Sequence, residues 1–131
     1  MENESKIVVT EFLTAVQQGN IEKSGQLLSP QLVWNQPGKN AISGVKQSSS
    51  DVFEMVGAMF ELSGNTLRLV EMKSVSANGN KAAALVRWTA SKPDGKILDV
   101  ENIDVYTIEN GKIIQAEIFS ADIDLENKFW S

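Results

Sequence analysis

The 131-residue sequence predicts an α+β fold in which helices come first and an antiparallel sheet follows. Up to Leu62 apolar residues recur at three- and four-residue intervals, whereas beyond Gly64 the period becomes two. Tight-turn strings, Asn78-Gly79, Pro93-Asp94-Gly95 and Asn110-Gly111, then divide the second half into four strand-length pieces.

Residues 5–18 place Ile7, Val8, Val9, Phe12, Leu13 and Val16 at helical spacing, and Gly19 follows where a left-handed cap is wanted. Asn20 caps a short second helix through Leu28, with Ile21, Leu27 and Leu28 turned inward, and Ser29-Pro30 stops it. Residues 31–36 read as a strand ended by Pro37-Gly38. A third helix covers 45–62 through Val45, Val52, Phe53, Val56, Met59 and Phe60, with Ser43 as its cap, although Gly57 and Ser48-Ser49-Ser50 weaken its regularity. Strands at 66–77, 81–91, 96–109 and 112–122 complete an antiparallel meander. Strands this long twist strongly, so three N-terminal helices should pack on a curved sheet that forms a cone with an interior pocket.

The composition, 42% hydrophobic and 22% charged without repeats or linkers, fits one globular domain over residues 1–131. Zero Cys and zero His exclude thiol nucleophiles, disulfides, imidazole acid–base work and the usual zinc or haem ligands, so neither a metal nor a cofactor is expected. Chemistry, if present, falls to carboxylates and hydroxyls. Net charge is −5, and the stretch from Asp94 onward, with nine acidic and three basic residues, carries the excess. No Lys/Arg cluster offers a face to phosphates, which argues against nucleic acid. The acidic start, Met1-Glu2-Asn3-Glu4, and the shortness of the apolar run 82–86 argue against a leader or a membrane span, so a cytoplasmic protein is expected.

If Asn110-Gly111 forms a two-residue hairpin loop, Glu109 pairs with Lys112, and the register continues as Tyr106 with Gln115, Asp104 with Glu117 and Asn102 with Phe119. Opposed side chains lie about 5 Å apart at Cβ, so ionising Asp104 and Glu117 together is penalised and a shared proton becomes an acid–base device. The alternative is a salt-bridged surface pair with Arg87 or a Lys nearby, and a one-residue bulge would send the two to opposite faces. Val100, Asn102, Tyr106, Ile108, Ile113 and Phe119 share the Asp104 face as a pocket wall. Ile97, Ile103, Val105, Ile114, Ala116 and Ile118 fall on the other, whose apolar centre calls for a second subunit. Phe12, Trp34, Phe53, Phe60, Trp88 and Phe119 either line a cavity for an apolar ligand or fill the core. Trp34 and Gln36, beside the Pro37-Gly38 turn, suit the pocket mouth. Arg68 and Arg87 either hold an acidic ligand or pair with Glu71, and Phe129-Trp130 either folds over the cone or docks on a partner subunit.

Several strings together resemble the nuclear transport factor 2-like superfamily, and in particular its SnoaL-like branch. They are Val9-Thr10-Glu11-Phe12-Leu13-Thr14-Ala15-Val16 with Gly19-Asn20, Leu32-Val33-Trp34-Asn35-Gln36-Pro37-Gly38, Val86-Arg87-Trp88-Thr89-Ala90, and Ile103-Asp104-Val105-Tyr106-Thr107-Ile108 with Gly111-Lys112-Ile113. The resemblance spans nearly the whole chain and implies the cystatin-like α+β cone shared by ketosteroid isomerases and polyketide cyclases. It implies no single activity, because the fold hosts isomerases, cyclases, epoxide hydrolases, dehydratases and binding modules. Asp104 matches the place where ketosteroid isomerases keep a protonated Asp that donates to the developing enolate. The isomerase's phenol donor falls at Phe12 and its base at Gln36, neither of which can serve. Epoxide hydrolases of this fold carry an Arg where this chain has Asn102, and the cyclases use a His that is absent.

These readings converge on a small-molecule-binding protein for a largely apolar organic ligand, homodimeric through the outer sheet face. If catalytic, it is a cofactor-independent isomerase, cyclase or hydratase, with Asp104 as neutral donor or base, Glu117 as second carboxylate, and Asn102, Tyr106 and Gln36 orienting the substrate. The alternative is a non-catalytic binding or dimeric assembly module whose interior is filled by side chains.

Overall fold

Asn3 opens the first helix, α1 (Glu4–Gln17), in a computed structural model that describes residues 3–131. Met1 and Glu2, part of the acidic start, lie outside the described residues. The Asn3 side chain accepts from the backbone N–H groups of Ser5 and Lys6, which otherwise lack helical partners. The helix buries Val8, Val9, Phe12 and Leu13. Gly19 then turns the chain at φ +71°, a conformation glycine adopts without the Cβ penalty. Asn20 accepts from Lys23 N–H and caps α2 (Ile21–Gln26), shorter than expected and with Ile21 exposed.

Strand β1 (Leu28–Gln36) starts earlier than the sequence suggests and runs through Ser29-Pro30. Pro30 falls where the pairing of β1 with its neighbour is interrupted, between Leu28 and Val33, so its missing N–H costs no ladder bond. Gly44–Lys46 forms a short strand, β2, instead of opening the third helix. That helix, α3 (Ser49–Leu62), is capped by Ser48, whose Oγ accepts from Asp51 N–H at 3.1 Å. Ser43 is not its cap; it accepts from Asn40 N–H and donates to the Pro37 carbonyl, which closes the loop before β2.

Strands β3 (Arg68–Asn78), β4 (Lys81–Ser91), β5 (Ile97–Glu109) and β6 (Lys112–Ser120) form the expected antiparallel meander. The fold is α+β, but β1 pairs in parallel with β6, so the six-stranded sheet is mixed. Its strands follow the order β2-β1-β6-β5-β4-β3, with β2 and β3 left as edges. The expectation of a strongly curved antiparallel sheet making a cone is therefore corrected: the sheet neither closes nor curls on itself. Long strands were the basis for that expectation, yet strand length sets how much a strand twists and not whether the sheet closes on itself, and the register breaks between β3 and β4, β5 and β6, and β1 and β6 bend single strands locally. A fourth helix, α4 (Ile123–Phe129), also departs from the expectation of three; Asp122 caps it by accepting from Leu125 N–H.

The helices cover one face of the sheet. On β5 the even positions Leu98, Val100, Asn102, Asp104, Tyr106 and Ile108 are all buried, whereas Ile97, Asp99 and Ile103 are exposed. Helix α1 lies across β3 to β6, α3 against β1 and β2, and α4 against β5. Each fully buried Leu, Ile or Phe in this layer is worth about 1.5–3 kcal/mol of transfer free energy.

Candidate functional site

One extra residue on β6 decides what faces the helices. Ile108 pairs with Ile113 but Thr107 with Gln115, so Ile114 has no partner and the register beyond it shifts by one. Asp104 then lies opposite Ile118, Tyr106 opposite Ala116 and Asn102 opposite Ser120, while Glu117 pairs with Val105. Because side chains alternate between faces, Glu117 and Phe119 are carried to the outer surface, where both are exposed, and Ala116 and Ile118 turn inward. The expected opposition of Asp104 and Glu117 in one sheltered chamber is corrected by this bulge, as is the place of Phe119 on the pocket wall.

Three of the expected residues stand together on the inner face of β5. Tyr106 donates its hydroxyl to Asp104 Oδ2 at 2.9 Å, both side chains being buried. A row across the sheet runs Ala82, Tyr106, Ala116, Trp34, and Ala84 lies beside Asp104. These alanines leave height above the sheet for rings. Phe12, from α1, meets Tyr106 edge-on at 5.8 Å between centroids and Trp34 at 6.5 Å, and Trp34 meets Tyr106 at 6.1 Å. Trp34 Nε1 donates to Gln36 Oε1 at 2.9 Å, so these two are buried partners rather than the rim of an opening.

Burial pushes the Asp104 carboxyl up to about 7, against the Tyr106 hydrogen bond that favours its charged form; the charge of Glu126 on α4 adds to the rise. Tyr106 is driven well above the ordinary phenol range, first by burial and then by Asp104. Glu126 was not foreseen as a site residue. It is only 4% exposed, and burial raises its carboxyl, opposed by the neighbouring Ser120 hydroxyl and Trp130 indole and reinforced by Asp122. Its sequence signal was the capping Asp122 followed by Ile123, Leu125 and Phe129 at helical spacing. Asn102 Oδ1, Asp104 Oδ1, Glu126 Oε2 and Trp130 Nε1 are buried without a hydrogen-bond partner in acceptable geometry.

The remaining expected pocket residues do not join this group. Phe53 is 42% exposed, on the side of α3 that lies over Gly25. Phe60 and Trp88 are half-buried at the margin of the core. Arg87 holds Asp99 on the outer face through two hydrogen bonds of 2.8 and 2.7 Å, with Glu71 at 3.8 Å. Phe129 and Trp130 are buried against each other with ring centroids 4.8 Å apart, packed into this chain. Two open depressions are found among the described residues. One of about 600 Å³ is bordered by Lys96, Asp124, Asn127, Lys128 and Ser131, and another of about 260 Å³ by Ser29, Glu109, Asn110, Lys112 and Ile114. Neither is lined by Asp104. Among the described residues no helix is long and apolar enough to cross a membrane, and no group of three acidic residues is arranged to hold a metal ion.

A carboxyl that titrates near neutral pH can donate or accept a proton under ordinary conditions, which is the property general acid–base chemistry requires. Comparison with known proteins bears on this arrangement. The profile of the SnoaL-like domain matches residues 9–116. An uncharacterized protein of Mycobacterium tuberculosis is 25% identical over 124 residues, covering 95% of this chain and 94% of its own. Among solved structures, a Xanthomonas campestris protein of unknown function with a cystatin-like fold superposes with a TM-score of 0.92 and 30% identity over 99% of both chains. Bal32a, from a soil-derived mobile gene cassette, superposes with a TM-score of 0.91 and 23% identity over 98% of this chain and 97% of its own.

Proposed function

The chain belongs to the SnoaL-like domain family, and from that premise we propose that it binds a small, largely apolar organic molecule against the inner face of β5 and uses Asp104 to exchange a proton with it. The observation that carries this reading is the buried, unpartnered Oδ1 of Asp104. A polar atom left without a partner inside a protein costs about 1–3 kcal/mol, which a ligand hydroxyl or carbonyl recovers by bonding to it. Tyr106, bonded to the same carboxyl, carries the ring cluster with Phe12 and Trp34, and Asn102 Oδ1 supplies a second acceptor. The chemistry suited to these groups is proton transfer of the isomerase, cyclase or hydratase kind. The reading keeps the cytoplasmic setting expected from the sequence.

The test uses 2-naphthol, an apolar ring carrying one hydroxyl, followed by its fluorescence. Wild type is expected to bind it, with Asp104→Ala weakening binding at least about tenfold, the loss of one good hydrogen bond. Equal binding by the two proteins, or none by wild type, overturns the reading.

A second reading, a dimeric assembly module, is favoured by a different observation. Ile103 and Phe119 are cross-strand neighbours on the outer face, 49% and 50% exposed, with Val33 on the same side. Apolar side chains clustered in this way suit the face of a second copy.

A further inference from the structure

Helix α4 turns one acid inward and leaves the others in solvent. Glu126 is buried, whereas Asp122 and Asp124 are exposed. Phe129 and Trp130 are buried with it, so the Glu126 carboxyl belongs to the surface by which the helix lies on β5. Its Oε2 has no hydrogen-bond partner, and the same holds for Trp130 Nε1 and, on β5, for Asn102 Oδ1 and Asp104 Oδ1. Across the interface the strand presents Asp104 and Tyr106, and Glu126 is near enough for its charge to act on Asp104. The Ser120 hydroxyl and the Trp130 indole are its other polar neighbours, with Asp122 on the helix itself. The loop before β5 brings Lys92 to 5.2 Å from the centre of the Phe129 ring, and Lys96 and Lys128 border an open depression with Asp124. Among the described residues no Lys or Arg comes within ion-pair distance of Glu126. A carboxylate buried without a cation is penalised, and the neutral acid is not. Few polar bonds tie α4 to the rest of the chain: Asn127 Oδ1 accepts from Lys39 N–H at 2.8 Å and from Asn40 Nδ2 at 2.9 Å, and the Trp130 carbonyl accepts from Ala41 N–H at 3.1 Å. Strand β5, in contrast, is paired on both sides. A helix held in this way opens at lower cost than the sheet beneath it.

We propose that α4 is a pH-sensitive strap, which docks on β5 with Glu126 protonated and loosens as that carboxyl ionises. The strap needs no ligand at Asp104, so it stands or falls apart from the binding reading. Burial raises the Glu126 carboxyl above its ordinary 4.5, and docked α4 therefore holds a proton that loosened α4 gives up. Docking is strongest below the ordinary value and weakens as pH rises through the docked one. The charge of ionised Glu126 beside Asp104 adds to the weakening.

The experiment is amide hydrogen exchange of the full chain by NMR, corrected at each pH for the intrinsic rate. The N–H groups of Lys39 and Ala41 are the reporters, because their acceptors lie on α4 and its cap. In wild type their protection is expected to fall by up to about tenfold per pH unit, the slope of one released proton, starting at the Glu126 midpoint seen by carbon NMR of the labelled carboxyl. Both amides are expected to open faster than those of β4. In Glu126→Gln, which keeps the shape of the side chain without its charge, their protection is expected to vary less than about threefold between about pH 5 and pH 9. Four results would each overturn the strap: protection that does not change with pH in wild type, an equal fall in Glu126→Gln, a fall that starts away from the Glu126 midpoint, or opening no faster than that of β4. Should Glu126→Gln not fold, the coincidence of exchange and carboxyl midpoints in wild type decides the matter.

Discussion

The Tyr106 hydroxyl donates to Asp104 Oδ2 from two residues further along the same strand, at 2.9 Å and out of contact with solvent. Opposing influences meet in that contact: the bond favours a charged carboxylate, and burial disfavours it more strongly. Replacing Tyr106 by Phe removes the restraint. The midpoint of Asp104, observed by carbon NMR of the labelled carboxyl, is expected to rise above its wild-type position near 7. Urea unfolding should show a loss of about 1–3 kcal/mol.

The raised carboxyl also fixes how stability depends on pH. In the fold Asp104 holds its proton up to about 7, whereas its ordinary value is 3.8, so between these the folded state binds more protons than the unfolded one. Its stabilising contribution is complete below about pH 4 and is lost as pH rises through 7, and Glu126, also raised, acts in the same direction. Urea titrations of wild type are expected to fall between pH 5 and pH 8 by about 2–3 kcal/mol from Asp104. In Asp104→Asn this decline should shrink markedly, making the variant relatively more stable at the alkaline end. An equally steep decline in the variant would contradict the assignment.

Phe12 touches both other rings of the inner cluster, so Phe12→Ala is expected to cost about 3–5 kcal/mol in chemical denaturation. Phe53→Ala, on the exposed side of α3, should cost less than half as much.

Gly38 sits at φ +95°, and a Cβ there would come within 2.5 Å of Asn127 Oδ1 and 2.9 Å of Ile123 Cδ1, both in α4. Asn127 Oδ1 accepts from Lys39 N–H and from Asn40 Nδ2, tying that helix to the loop after β1. Gly38→Ala is therefore expected to cost more than about 1 kcal/mol. Hydrogen exchange should quicken in residues 123–130 ahead of the central strands.

The assembly reading has its own measurement. Sedimentation at micromolar concentration should give a species of twice 14.3 kDa for wild type, and Ile103→Lys should return it to the single-chain mass without lowering the unfolding midpoint of the monomer. A wild-type protein sedimenting at one chain mass would remove this reading.

Helix α1, the four-strand meander and the inward direction of Asp104, Asn102 and Tyr106 were legible because each depends on local periodicity, on a cap such as Asn20 or on a turn such as Asn110-Gly111. Glu117 was misplaced because one unpaired residue, Ile114, reverses the faces beyond it, and alternation of apolar residues is nearly as good on either side of β6. Glu126 was not singled out because Asp122, Asp124 and Glu126 are closely spaced acids with no local sign of burial, and only the docking of α4 on β5 buries the last of them. The open sheet was equally hidden, since strand length reports twist but not whether the sheet closes on itself. The parallel pairing of β1 with β6 joins segments about 80 residues apart, and no local signal marks it.

That same pairing sets an order of assembly. The meander from β3 to β6 closes through short connections and can nucleate early, but β1 must wait on a partner made much later in synthesis. Trp34 and Gln36 ride on β1, and Glu126 follows β6, so the ring cluster and the acids come together only in the final steps of folding. A nascent chain halted before β6 has the strand bearing Asp104 but lacks both walls that enclose it.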